Sequence, residues 1–210
     1  MKYQYRIIYK KNEPLRYTGN LDVHKIWERS FRRSKLPLAY SEGFHPQPRI
    51  QQASPLPLGF LSEYEMLDVY LTEEMDSIGL QTTIQEKVPL GLEILTIEQI
   101  TNKEPALQVQ VKAVEYKVFF LDPINENDVN EKIKNLMEKE KILRVRRKKE
   151  YDLRPLINQL ELVTTATQPY LQMNLKSQEG ATGRPEEVLS ELGFSLEDTR
   201  IIRTMIYRSN

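Results

Sequence analysis

Strand-like and helix-like periodicities follow one another along this chain in an order that leaves few folds open. Residues 3 to 10 are rich in aromatic and β-branched types and predict a strand. In the segment after it, Val23, Ile26, Trp27, Ser30, Phe31 and Ser34 form one stripe at three-and-four spacing, which predicts a helix with Asn20 as its N-cap. A short strand near Arg49 to Ala53, a strand over Tyr64 to Leu71, a helix from Ser77 to Lys87 and a strand over Leu92 to Ile100 complete a β-α-β-β-α-β series. The second half repeats the series more loosely. Strands are expected over Gln108 to Leu121, Leu143 to Lys149, Tyr170 to Lys176 and Thr199 to Arg208. Its helices are expected over Asn125 to Glu140 and from Pro185 to the residue before Gly193. The expectation is therefore an α+β protein of two ferredoxin-like (βαββαβ) units, with antiparallel sheets and helices packed on one face. The boundary is placed at Asn102 to Pro105, giving units of 1–104 and 105–210.

One stretch of the first unit fits neither periodicity. Residues 38–59 hold Pro46, Pro48, Pro55 and Pro57, with Gly43, Gly59 and His45. Proline fixes its own φ and drives the preceding residue into extended backbone, so Phe44-His45-Pro46-Gln47-Pro48 should be stiff. Gly43 is expected to supply a positive φ. Loops this long inside a compact domain tend to carry function. Two readings stand: Tyr40, Phe44 and His45 stack on nucleic-acid bases, with Ser41, Glu42 and Arg49 supplying polar contacts, or Phe44 plugs the core and the prolines stiffen a crossover.

Composition removes several chemistries. There is no cysteine, hence no disulfide, thiolate nucleophile, cysteine zinc site or iron–sulfur cluster held by this chain. With His24 and His45 the only histidines, no metal site and no cofactor is expected. No apolar run is long enough for a bilayer, and the N-terminus lacks the apolar core of a signal peptide, so the expected location is the cytoplasm without membrane contact. His45 is a weak candidate for acid–base work because no spacing signals a partner for it.

Formal net charge is zero, but the cations are unevenly placed. From Asp22 to Lys35 five basic residues face two acidic ones, and from Lys141 to Arg154 seven face two. Lys25, Arg29, Arg32 and Arg33 would project from the first helix and bridge phosphates, or form a solvated face. Arg144, Arg146 and Lys148 would share one side of a strand, with Glu150, Asp152 or Glu161 as their alternative partners. Arg184, entering a helix N-terminus, suits an anion or an acidic neighbour, and Arg203 on the last strand adds a cation.

Several segments resemble a bacterial family, the radical-SAM-linked proteins, a domain of unknown function. They are Gly19-Asn20-Leu21-Asp22, Phe31-Arg32-Arg33-Ser34, residues 36–48 and 53–59, Glu63, Asp68, Tyr151-Asp152-Leu153-Arg154-Pro155-Leu156-Ile157 and Gly183-Arg184-Pro185-Glu186-Glu187-Val188-Leu189. The family pattern has Ser-His at Gly19-Asn20 and Asn at His45. The resemblance implies a radical-SAM protein as partner and brings no established reaction. The leading expectation is a non-catalytic RNA-binding or substrate-presenting module working with that enzyme. The alternatives are an RNA-processing or RNA-modifying enzyme using His45, Tyr40 and Glu42, and a protein-interaction scaffold without RNA binding.

Overall fold

The structure is a computed structural model that describes residues 2–178 and 180–209. It is a mixed α+β protein whose chain divides into two compact units, the first ending at Val111 and the second beginning at Lys112.

The first unit runs β1 (Tyr3–Lys11), α1 (Asn20–Arg33), β2 (Ile50–Gln52), β3 (Leu61–Leu71), α2 (Ser77–Gln85), β4 (Leu92–Ile100) and the single turn α3 (Leu107–Gln110). Its strands pair antiparallel in the order β4-β1-β3-β2. Alternation puts Tyr5, Ile7 and Tyr9 of β1 and Leu67, Val69 and Leu71 of β3 on one face, where they join Val23, Trp27 and Phe31 of α1 and Leu80 and Ile84 of α2 in one buried cluster. Trp27 meets Tyr9 edge-on at 4.8 Å and Phe31 at 5.3 Å between ring centres. The expected apolar stripe is thus the packed one. The cap of α1 sits one residue earlier than expected, at Gly19. Asp76 caps α2 by accepting from the Gly79 amide at 2.7 Å.

The opposite face of this sheet carries a buried ion pair. Arg6 and Asp68 lie directly across from each other on β1 and β3. The Arg6 Nε and Nη2 donate to the two Asp68 oxygens at 2.8 and 2.9 Å. Gln4 adds a third donor to Asp68 at 2.7 Å, and Glu104 accepts from Arg6 Nη1 at 3.0 Å.

The second unit runs β5 (Val111–Phe120), α4 (Glu126–Glu138), β6 (Leu143–Arg146), β7 (Lys149–Asp152), β8 (Ile157–Val163), β9 (Tyr170–Gln178), β10 (Ala181–Thr182), α5 (Pro185–Leu192) and β11 (Thr199–Arg208). Its main sheet has the order β11-β5-β9-β8, with the short β10 also on β9. The pairs Val114–Leu175, Tyr116–Met173 and Val118–Leu171 set one buried face. Val129, Ile133 and Leu136 of α4 and Val188, Leu189 and Leu192 of α5 are the buried sides of the two helices.

Two expectations are corrected here. The strand expected from Gln108 starts at Val111, because the Gln110 side chain donates to the Pro105 carbonyl at 2.7 Å and closes a helical turn over 107–110. The strand expected over Leu143 to Lys149 is broken after Arg146. Arg147 (φ 47°) and Lys148 (φ 65°) form a two-residue turn, and β6 folds back on β7 as a separate hairpin. Positive φ at both central residues is the geometry that matches the twist of tightly joined strands. The place in the main sheet expected for this strand is taken by β8.

Candidate functional site

The proline-rich loop of the first unit is stiff at its base and open at its tip. Ala39 donates to Tyr70 O, Arg49 donates to Ala39 O and Tyr70 donates to Arg49 O, at 2.8 to 3.1 Å, so the base is laced to β3. Ser41 and Gln47 close the tip twice: Ser41 N donates to Gln47 O at 2.8 Å, and Gln47 N donates to Ser41 Oγ at 3.0 Å. Gly43 takes the positive φ expected of it, 118°. Within this clamp residues 41–47 are all exposed, and the Phe44 ring is entirely in solvent. Phe44 therefore does not plug the core, and the crossover reading of that residue is overturned. His45 is exposed as well, with no hydrogen bond or ion pair among the described residues, so nothing orients it as a base.

The cations of α1 separate into two kinds. Arg32 is tied to Glu28 at 2.9 Å and lies over the Tyr40 ring at 5.7 Å, which joins the helix to the base of the loop. Arg33 donates to Lys87 O at 2.6 Å and serves the fold. Lys25 and Arg29 are exposed and make no ion pair among the described residues. Arg49 lies opposite Ala39 and covers the Tyr70 ring at 4.6 Å.

In the second unit, residues from two distant stretches of sequence meet around one cavity of about 780 Å³. Its lining comprises Arg146, Arg147, Lys149, Glu150, Tyr151 and Asp152 from the hairpin, Leu156 after it, and Gly180, Thr182 and Arg184 from the approach to α5. The approach is close: a Cβ on Gly183 would lie 2.9 Å from the Leu156 carbonyl oxygen, so only glycine lets these segments touch. Arg144 pins the hairpin by pairing with Glu191 at 2.7 Å and donating to Glu187 O at 3.1 Å. Asp152 Oδ1 accepts from the amides of Ile142 and Arg154 at 2.8 and 3.0 Å, so it shapes the chain entering and leaving the hairpin. Behind the lining, the Tyr151 hydroxyl is buried without a well-formed hydrogen bond, beside Glu187. Burial first, and then that carboxylate, push its phenol far above the ordinary value. Burial also lifts the Glu186 carboxyl, with Glu187 adding to the rise and the Glu186 backbone amide and Arg146 opposing it.

Several expected cations change role in this arrangement. Arg146 and Arg184 face the cavity, Arg184 at 3.5 Å from Glu187. Arg144 is a structural clamp. Lys148 sits on the turn, outside the cavity lining, because the turn reverses the alternation assumed for a straight strand. Arg203 is corrected outright: it is 1% exposed and its guanidinium packs over Tyr116 at 5.7 Å, so it offers solvent no charge. The residues missed are Arg147, Lys149 and Tyr151. Their signal was the local basic excess of 141–154, but no Gly or Asn marked the turn that aims them. Among the described residues no group of three His, Cys, Asp or Glu is placed to hold a metal ion, and no helix is long and apolar enough to cross a membrane.

Comparison with solved structures finds a chain in the "Crystal Structure of a Cbf5-Nop10-Gar1 Complex" that is similar over 97% of this chain, with a TM-score of 0.51 and 8% identity. At that identity the likeness speaks to an α+β fold alone, and this chain spans 50% of the length of that one. No curated protein matches the sequence. Residues 4–185, most of both units and nearly all the segments that meet at the two places above, match the family described as "Uncharacterized protein conserved in bacteria (DUF2344)", and the chain belongs to it.

Proposed function

We propose that this protein is a non-catalytic RNA-binding module that presents RNA to a separate radical-SAM enzyme. One observation carries the RNA reading: the Phe44 ring stands wholly in solvent on a clamped tip, whose base carries Tyr40 stacked with Arg32 beside the unpaired Lys25 and Arg29 of α1. An aromatic ring held rigidly in water gains by stacking on an unstacked base, at low cost in entropy, and neighbouring cations favour the phosphates that accompany that base. The enzyme partner rests on the resemblance of the motif segments. It agrees with the absence of cysteine, since any cluster would have to be held elsewhere. Membership of the similar solved chain in a multi-protein complex is in keeping with a module that works beside partners. We read both units as ferredoxin-like, the orders β4-β1-β3-β2 and β11-β5-β9-β8 supporting this, with the β6–β7 hairpin inserted in the second.

Anisotropy titration with single-stranded RNA tests the proposal. Neutralising about three phosphates gives a log–log salt slope of about −2, a loss of roughly 20-fold in affinity between 50 and 200 mM salt. Phe44→Ala should weaken binding by roughly 5- to 150-fold, the worth of one stacked base. Its stability should stay within about 0.5 kcal/mol of the parent, as for other exposed positions. Affinity that ignores both salt and Phe44 would rule the reading out. Capture of a radical-SAM protein by a chain inert toward RNA would point to the scaffold alternative.

A further inference from the structure

The cavity of the second unit has a charge that its own side chains leave unbalanced. Arg146, Arg147, Lys149 and Arg184 face it against Glu150 and Asp152, an excess of two positive charges in the lining that Glu187, beside Arg184, reduces to one. Asp152 is further committed to two backbone amides, and Arg184 keeps a loose pairing with Glu187 at 3.5 Å. Arg146, Arg147 and Lys149 are exposed and their side chains make no hydrogen bond or ion pair among the described residues, Arg146 acting on the Glu186 carboxyl only through its charge. Three of the four cations are arginines, whose planar forks suit the oxygens of a phosphate. Cations set this close around one space repel one another unless an anion is expected there.

We propose that this cavity binds a phosphomonoester, the terminal phosphate of an RNA 5′ end or of a free nucleotide. A phosphomonoester carries between about −1.5 and −2 charges near neutral pH, against one for an internal phosphodiester, so it gains more from four cations around one space. A volume of about 780 Å³ holds a nucleotide rather than a bare ion. Thr182, also in the lining, donates its hydroxyl to the Gln178 carbonyl at 3.4 Å, a long bond that it can exchange for one to a phosphate oxygen. The site shares no residue with the Phe44 loop and stands without it.

Two ligand pairs and two variants decide the matter, with binding read by anisotropy and calorimetry. A ten-nucleotide RNA with a 5′-phosphate should bind at least 10-fold tighter than the same RNA with a 5′-hydroxyl, or AMP should bind where adenosine does not. A phosphate preference in the RNA pair with AMP competing only weakly identifies an RNA end. AMP binding as tightly as the phosphorylated RNA identifies a free nucleotide. In the double variant Arg147→Ala, Lys149→Ala, whose side chains are exposed, the preference should fall below 3-fold with the melting temperature unchanged. Phe44→Ala should weaken both RNAs alike and leave the preference intact. Equal binding within both ligand pairs, or a full preference retained in the double variant, overturns the proposal.

Discussion

Single residues divide here into those that hold the chain together and those that its packing leaves in the open. Asp68 belongs to the first kind. It is fully buried and accepts from Arg6 twice and from Gln4 once. Asp68→Asn keeps the shape but leaves the buried guanidinium facing only Glu104, and should cost about 3 kcal/mol in urea denaturation. The Gln4→Ala variant, which removes only a neutral donor, should cost less. Glu186 gives a different signature. Its carboxyl is lifted above the ordinary 4.5, chiefly by burial, so the folded state holds its proton more tightly than the unfolded chain does. Stability from this group is then present below pH 4.5 and declines as the pH rises through the folded value. Glu186→Gln should remove that decline, so its urea midpoint should rise relative to the parent as the pH climbs above 4.5. Burial of Trp27 and Phe31 was legible in sequence because their spacing repeats with the helix. Burial of Arg203 was not, because alternation along a strand says which residues share a face and nothing about what covers it.

At the scale of elements, the first unit folds as its periodicities require and the second carries an insertion. The hairpin β6–β7 arises because Arg147 and Lys148 turn where a straight strand was expected. Left-handed backbone at a non-glycine residue costs roughly 1–2 kcal/mol. Lys148→Gly should therefore stabilise the second unit by about 1 kcal/mol, less the extra entropy that glycine gives the unfolded chain. Slower amide exchange over β6 and β7 would be the most direct sign; an unchanged or faster rate would show that the lysine side chain pays for its strain through contacts. The loop of 38–59 was legible as stiff, since proline acts locally, and Gly43 as a turn residue for the same reason. The cavity was not, because Tyr151 to Leu156 and Gly180 to Arg184 are brought together only when Gly183 lies against Leu156.

For the whole molecule, a formal net charge of zero means that no mean field gathers polyanions, and any affinity for them must come from local clusters. A clamped aromatic needs an unstacked base to meet, so single-stranded RNA should bind at least 10-fold tighter than duplex DNA of equal length at about 0.15 M salt, a difference that competition titration would read. Equal affinity for the two would indicate a purely electrostatic surface. The amino-acid order by itself determined the α+β class, the run of strands and helices in the first half, the apolar side of each helix and the stiffness of the proline-rich loop. All of these follow from interactions between residues a few positions apart. The tertiary structure alone decided which cations reach solvent and which are clamps, that Phe44 points outward, and that two remote motif segments enclose one cavity. Those outcomes depend on which chain segments come to lie against one another, and periodicity carries no record of that.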